Sequence, residues 1–498
     1  MVRPTGLGGK LSNATIRLLP DWVPFAPWRW WIHLRQVFLA MSYTYSTRFT
    51  YPPTPLTLEI REEIYIKPYA AIHFASHRNS ISPRDNYHPK SLVLIILFWL
   101  IVNIWQPFLR TARIKKRAED HTFRLIQYED ANTNYADLAP VNSAMNALAC
   151  YIHDGPRSSS FLLHLDRLRD FIWVNQDGML CNGTDGVQSW DTSFPIQAVV
   201  AANLHTSPQC RPMLQRALAF LEDQQIREDC VDQTLCYRQR RKGAWAFSTR
   251  SQGYTVSDTT SEALKAVLLL QNTPGYPTLI SDDRIRDAID TLLTMQNPSG
   301  GFASYEPQRG GEWIECLNAA EVFGRIMVEY DYPECSTAVI TALRLFSSYN
   351  PTYRRSEIDT AISRALKYIR RAQRQDGSWY GSWGICFTYA TMFALEAFAS
   401  VGEYYNNSAT ARKGCEFLLS KQRDDGGWGE SYKSCETGVY HHRESQVVMT
   451  AWALIGLLAA EYPDQAPIER GVRLLMSRQQ RNGEWLQEGI EGVFNKSV

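Results

Sequence analysis

Five times in the second half of the chain a small residue stands eight positions before a glutamine: Ala217 and Gln225, Ala288 and Gln296, Ala365 and Gln373, Gly414 and Gln422, Gly471 and Gln479. In four of the five copies an aromatic follows the small residue by fourteen positions, at Phe302, Trp379, Trp428 and Trp485. The closing segments Gln-Asn-Pro-Ser-Gly-Gly-Phe, Gln-Arg-Gln-Asp-Gly-Ser-Trp, Gln-Arg-Asp-Asp-Gly-Gly-Trp and Gln-Gln-Arg-Asn-Gly-Glu-Trp share one plan. A small residue lets helices approach, a glutamine side chain can satisfy backbone groups left open at a helix end, and a ring can stack over it. The repeat is therefore structural, and its aromatics need no catalytic explanation.

Helical periodicity runs through the same region. Stretches 161–174, 191–204, 212–226, 258–271, 283–296, 318–330, 335–349, 357–373, 386–402, 409–422, 445–461 and 466–480 follow one another with short Gly/Pro/Asn breaks, without strand alternation. Twelve consecutive helices suggest six hairpins, and the simplest closed solution is an all-α toroid of inner and outer helices. Residues 1–120 read as irregular, with clustered prolines and no clear period. Within them, the apolar run 91–105 is shorter than the roughly 20 residues of a bilayer span, so it reads as a buried or membrane-surface helix rather than a transmembrane one.

Composition narrows the function. A net charge of +1 with no basic block gives no reason to expect nucleic acid. Ten cysteines without a CxxC pair or metal-like spacing read as reduced thiols on the cytosolic side, and no metal site is expected. Met1 to Pro20 lacks a continuous apolar core, so no signal peptide is expected. Aromatics at 12% ask for large apolar binding surfaces or stacking devices. One carboxylate stands out, Asp258 in Gly253-Tyr254-Thr255-Val256-Ser257-Asp258-Thr259-Thr260-Ser261-Glu262, where Val256–Leu270 is free of Pro and Gly. Either Ser257 or Asp258 would ordinarily be the N-cap of that helix.

The repeat and the Asp258 segment together resemble the oxidosqualene cyclases of the lanosterol synthase type, fungal ones most of all, from about Trp28 to the C-terminus. The resemblance implies two α/α barrels, with residues 1–160 a remnant of one and 161–498 the barrel that carries the catalytic acid. It implies acid-initiated cyclisation of 2,3-oxidosqualene to a sterol-type or protosteryl-type alcohol, with no metal or organic cofactor. A monotopic chain on the cytosolic side of the endoplasmic reticulum or a lipid droplet goes with it; the partners are this hydrophobic substrate and a membrane surface, and oligomeric state is left open.

The family's acid motif is Asp-Cys-Thr-Ala-Glu; here it reads Asp258-Thr259-Thr260-Ser261-Glu262, with Thr259 in place of the cysteine. The family's second activating cysteine matches Cys335, and Thr259 retains a hydroxyl able to donate. Cation-stabilising rings match Trp190, Phe247, Trp383 and Phe494, and the terminating base with its tyrosine partner matches His33 and Tyr305. Against the family pattern the chain begins well inside and ends before the closing segment, so a truncated, inactive remnant is the competing expectation. Squalene–hopene cyclases want Asp-x-Asp-Asp where Thr260 and Ser261 stand, prenyltransferase β-subunits want a zinc-binding Asp-x-Cys, and ionising terpene synthases want a third carboxylate after Asp282-Asp283.

Overall fold

The computed structural model describes residues 14–74, 76–77, 80–175 and 178–493. In them the chain divides into two compact units. The first holds the chain up to Gly186 with Val231–Arg238 and Arg309–Val328; the second holds Val187–Cys230, Gln239–Gln308 and everything from Glu329 onward. The first unit thus runs beyond residue 160 and takes back two later segments.

In the first unit the stretch read as irregular carries helices α1 (Ile32–Thr47), α2 (Pro55–Ile64), α3 (Leu92–Leu109) and the start of α4 (Ala112–Thr133); α5 (Pro140–Asp154) and α6 (Ser159–Arg167) follow. The period of α1 was hidden because its buried stripe mixes Leu34, Leu39 and Tyr43 with Arg35, Gln36, Ser42 and Ser46. Helix α1 packs on α4 and α5, with Leu39, Tyr43, Phe123, Ile126, Ala149 and Cys150 between them. The helix expected over 161–174 stops at Arg167 and gives way to a hairpin, β1 (Ile172–Asn175) against β2 (Gly178–Cys181). Both strands are exposed on both faces, which is why no alternation marks them. Over 318–330 there is no helix. The Asn318 side chain donates to Phe323 O and accepts from the Ala320 N–H, capturing backbone groups that a helix would need.

Helix α3 starts at Ser91, whose hydroxyl accepts from the Leu94 N–H, and widens into an i→i+5 register over Ile101–Leu109, around Pro107. Only Leu94 and Phe98 are buried, against Ala319; Leu92, Ile95, Ile96, Trp99, Leu100, Phe108 and Leu109 are exposed. The expectation of a buried helix therefore fails. At 18 residues α3 is about 27 Å long, enough by length and composition to cross a membrane.

The second unit is two-layered. Helices α7 (Gln188–Ala201), α9 (Ser257–Gln271), α11 (Pro333–Tyr349), α13 (Cys386–Ala399) and α16 (Val447–Ala459) pack side by side in that order. Outside them lie α8 (Arg211–Gln224), α10 (Asp282–Thr294), α12 (Arg355–Ala372), α14 (Ala409–Lys421) and α17 (Gln465–Arg478), each against its inner neighbour; α15 (Lys433–Thr437) is a short extra turn. This is the inner-and-outer arrangement of an all-α toroid. Three of the five outer helices carry their own caps, Ser281, Ser408 and Asp464, each accepting a first-turn N–H, whereas Cys210 and Arg354 give none to α8 and α12. Inner helices have no side-chain cap of their own, and distant groups meet their first turns instead, as where Glu430 accepts the N–H groups of Cys386, Phe387 and Thr388.

The repeat acts as a stitch between successive outer helices. Three glutamine amides donate twice, once to the glycine carbonyl of their own turn and once to a carbonyl of the next outer helix: Gln296 to Gly300 and Ala361, Gln373 to Gly377 and Thr410, Gln422 to Gly426 and Pro467. Gln225 likewise reaches Gly243 and Arg284, and Gln479, in the last copy, donates to Gly483. These turns bring glycine backbone so close that a Cβ at Gly377, φ +91°, would sit 2.3 Å from Lys413 O. The indole N–H then closes the unit by donating to an outer-helix carbonyl, Trp379 to Ile369, Trp428 to Leu418 and Trp485 to Leu475. The first copy has its ring as well: Trp245 donates to Leu221 O, displaced along the chain by the insertion after Gln225.

Replacing Trp428 by Phe keeps most of the ring but removes the donor from the buried Leu418 carbonyl, so stability should fall by about 1–3 kcal/mol. The measurement is the urea midpoint at constant m-value, and an unchanged midpoint would remove the indole bond from the list of what holds the repeat together.

Candidate active site

Helix α9 opens on Val256, which is extended and gives no side-chain cap; Ser257 and Asp258 are already helical. Neither is the N-cap that the sequence suggested, because both are engaged elsewhere. Ser257 donates its hydroxyl to Ala303 O (2.6 Å) and its N–H to Ser304 O (2.8 Å), pinning the start of α9 to the segment after Phe302. Asp258 is left with a carboxyl only 6% exposed.

Three groups define that carboxyl. The backbone N–H of Thr259 donates to Oδ1 at 2.8 Å, and the Cys335 thiol on α11 donates to Oδ2 at 3.7 Å. The Thr259 hydroxyl is buried and finds no partner among the described residues, so the expected O–H donation to the acid is not made. Burial drives the Asp258 pKa from 3.8 up to about 7; the Thr259 N–H opposes this, and the charges of Glu334 and Glu262 add to it. Cys335, wholly buried beside Asp258 and Glu334, stays a thiol for the same reason.

Glu334, which the sequence reading passed over, precedes Cys335 on α11 and is 2% exposed. One oxygen accepts the N–H of Ser382 at 2.7 Å and of Trp383 at 3.1 Å. A buried carboxylate thus anchors the Gly381-Ser382-Trp383-Gly384 turn against the helix that carries Cys335. Burial raises the pKa of Glu334 too, with those N–H bonds opposing. The turn lies on the Tyr389 ring, since a Cβ at Gly381 or Gly384 would come within 2.7 Å of it. Trp383 tilts over Tyr332, centroids 5.4 Å apart, so Tyr332 and Tyr389 join the ring set.

A second run of rings starts on α7. The Trp190 N–H donates to Phe247 O, and Ser189 donates its hydroxyl to Ser248 O, which fixes the two segments together. Trp190 meets Phe194 at 4.7 Å and Phe247 at 5.6 Å; Phe247 meets Tyr305 at 6.4 Å, and Tyr305 meets Tyr254 at 6.3 Å. Edge-on and tilted contacts of this kind suit rings that receive positive charge on a face. Of the residues singled out in the sequence, Asp258, Thr259, Cys335, Trp190, Phe247, Trp383 and Tyr305 all belong to the second unit. His33 belongs to the first, half-buried on α1 with its ring 4.3 Å from Trp31. Phe494 lies outside the described residues. Tyr254, Tyr332 and Glu334 were within reach, because Tyr254 stands inside the segment quoted for Asp258 and the other two lie within three residues of Cys335.

A model of the squalene-hopene cyclase C-terminal domain matches residues 187–496. Lanosterol synthase erg7A of Aspergillus fumigatus is 60% identical over 481 residues, covering 96% of this chain and 64% of that protein. Lanosterol synthase erg7B of the same species is 62% identical over 483 residues, 96% of this chain and 68% of that protein. Lanosterol synthase of Homo sapiens is 44% identical over 485 residues, covering 96% and 66%. The chain therefore spans about two-thirds of the length of these relatives.

Because the folded pKa of Asp258 is raised, its contribution to stability is complete below pH 3.8 and is lost as the pH rises through about 7. Asp258→Asn does not titrate, so the variant should gain on the native chain by up to about 1.4 kcal/mol per pH unit between pH 4 and 7, then run parallel. Unfolding free energies measured across that range test this, and a pH-independent difference would mean an ordinary carboxylate.

Proposed function

The chain belongs to the triterpene cyclase family that includes squalene–hopene cyclases and lanosterol synthases, and from that premise we propose that it cyclises 2,3-oxidosqualene to a sterol-type or protosteryl-type alcohol. The observation that carries the proposal is the buried Asp258 with the Cys335 thiol on one oxygen and the Thr259 N–H on the other. In this reading the Asp258 carboxyl gives its proton to the epoxide oxygen as the C–O bond opens, leaving an alcohol and a tertiary carbocation. The thiol and the N–H then stabilise the carboxylate left behind, so the acid is strong enough to act although burial favours its protonated form. Thr259 in place of the family's cysteine costs this contact nothing, because the bond from position 259 is a main-chain one.

The rings divide the next step. Trp383, held by Glu334, and the Trp190–Phe247 pair offer π-faces worth about 0.5–2 kcal/mol each to a desolvated cation. The terminating base that the resemblance implies is His33, with Tyr305 as its partner; His33→Gln in the same assay would separate proton loss from cyclisation. We further place the chain at a lipid surface, on the cytosolic side of the endoplasmic reticulum or a lipid droplet, because α3 presents a row of large apolar side chains that water would solvate poorly.

Expressed with membranes and given 2,3-oxidosqualene, the chain should yield cyclised alcohols, whereas Asp258→Asn should yield less than about a thousandth as much while melting as a folded protein. A folded native chain without product, or an Asn variant that keeps activity, would sink the reading. Ile96→Asp with Leu100→Asp should shift the chain from the floating to the soluble fraction of a membrane flotation gradient; unchanged flotation would assign lipid contact to another surface.

A further inference from the structure

Away from the Asp258 site, the first unit buries a second cluster of ionisable groups, contributed by three successive helices. Asp130 and Glu129 come from α4, Cys150 and Asn146 from α5, His164 from α6, and Asp137 from the turn between α4 and α5. All six are nearly or wholly out of solvent. Glu129 has its counter-charge in Arg238, at 3.1 Å. Among the described residues, the only cation paired with Asp130 and Asp137 is whatever His164 carries, its Nε2 3.3 Å from Asp130 Oδ1 and its Nδ1 3.6 Å from Asp137 Oδ2. Two acids in a dry interior around one imidazole are costly as an isolated arrangement.

Hydrogen bonds account for part of this convergence: Asn146 Nδ2 donates to Asp130 Oδ1 at 3.2 Å and the Cys150 thiol to Oδ2 at 3.6 Å. One donor atom each from Asp130, Cys150 and His164 lies within 4.8 Å of the other two. The Asp130 carboxyl turns one oxygen to His164 and the other to the Cys150 Sγ, 3.6 Å away. Among the described residues no well-aligned hydrogen bond reaches Asn146 Oδ1, Asp137 Oδ2 or either ring nitrogen of His164, which also feels the Tyr135 backbone. Around a tetrahedral zinc with bonds of about 2.0–2.3 Å, oxygen and nitrogen ligands stand about 3.3 Å apart and sulfur and oxygen about 3.5 Å. The His164 separation runs to Asp130 Oδ1 and the Cys150 one to Oδ2, so an ion seated among the three would draw the imidazole and the thiol to a single carboxylate oxygen.

We propose that Asp130, Cys150 and His164 form a structural site for a divalent first-row metal of the zinc class. His164 ligates through Nε2, and Asp137 accepts from its Nδ1–H on the far side of the ring, the carboxylate–imidazole–metal relay that fixes ring orientation in such sites. Asn146, whose Nδ2 already reaches Asp130 and whose Oδ1 has no hydrogen-bond partner among the described residues, is a candidate for a fourth ligand. On binding, the Cys150 thiol gives up its proton to solvent and coordinates as thiolate, and the ion neutralises the charge that no side chain does. Scattered over three helices, these ligands have none of the close pairing by which zinc motifs are read, so the sequence reading expected no metal.

The probe is cobalt, whose thiolate complexes absorb in the near ultraviolet. The purified chain, stripped with chelator and titrated with Co²⁺, should bind about one equivalent with such a band, and Zn²⁺ should abolish it. Cys150→Ser should lose the band, Cys415→Ser, buried elsewhere, should keep it, and Asp137→Asn should weaken binding by about 10–100-fold. A folded native chain that takes up no cobalt overturns the proposal without any variant, as does a band that survives Cys150→Ser.

Discussion

The stitch between a repeat's ring residue and the next inner helix is what the rest of the second unit depends on. Where the aromatic ends its turn, its backbone N–H donates to a hydroxyl just inside an inner helix: Trp245 to Thr260, Phe302 to Ser336, Trp379 to Thr391, Trp428 to Thr450. Thr260 is two residues beyond Asp258, and Ser336 is the residue after Cys335. A structural repeat with no chemistry of its own therefore sets the register of the two helix starts whose side chains meet at the acid. The glutamine above each turn holds the outer layer in step, so a slip in one copy would be transmitted to the next inner helix.

Given that register, the electrostatics follow from what inner helices lack. An N-cap side chain would have satisfied the first turn of α9 locally and drawn it toward the surface. Instead Ser257 is tied to the backbone at Ala303 and Ser304, and Asp258 comes to lie in the interior with neutral donors only. The helix terminus and the Thr259 N–H favour the carboxylate, while burial and the neighbouring Glu334 and Glu262 favour the acid. Burial prevails without abolishing the acidity, which is the compromise that a proton donor near neutral pH requires.

How much of this was legible depended on whether the signal was local. The glutamine–aromatic spacing was, and so was the apolar period, which gave the second unit's helices to within a few residues. Trp245 was not, because the insertion after Gln225 moves it off the fixed spacing although it makes the same bond to the outer helix. The stretch 318–330 looked helical because apolar spacing says nothing about an asparagine side chain capturing the backbone of the loop. The acid and its thiol were readable only through resemblance. No spacing within one chain says that residues 258 and 335 touch, or that the Thr259 hydroxyl turns away.

Buried carboxyls occur in both units, and the difference between their surroundings separates two uses of the same costly group. Around Asp258 the near neighbours are an N–H group, a thiol and, one helix on, rings anchored by Glu334; among the described residues no imidazole and no basic side chain supplies it with a hydrogen bond or an ion pair. A proton is the one cation such a place can hold reversibly, and losing it to a substrate leaves a carboxylate that its donors can bear. Around Asp130 an imidazole faces one oxygen and a thiol the other, their donor atoms within 4.8 Å of one another, and a further carboxyl lies beside the imidazole. A proton satisfies only one of those acceptors at a time, whereas a divalent ion satisfies three at once. The donor set, more than the depth of burial, distinguishes a carboxyl placed to give up a proton from one placed to keep a cation.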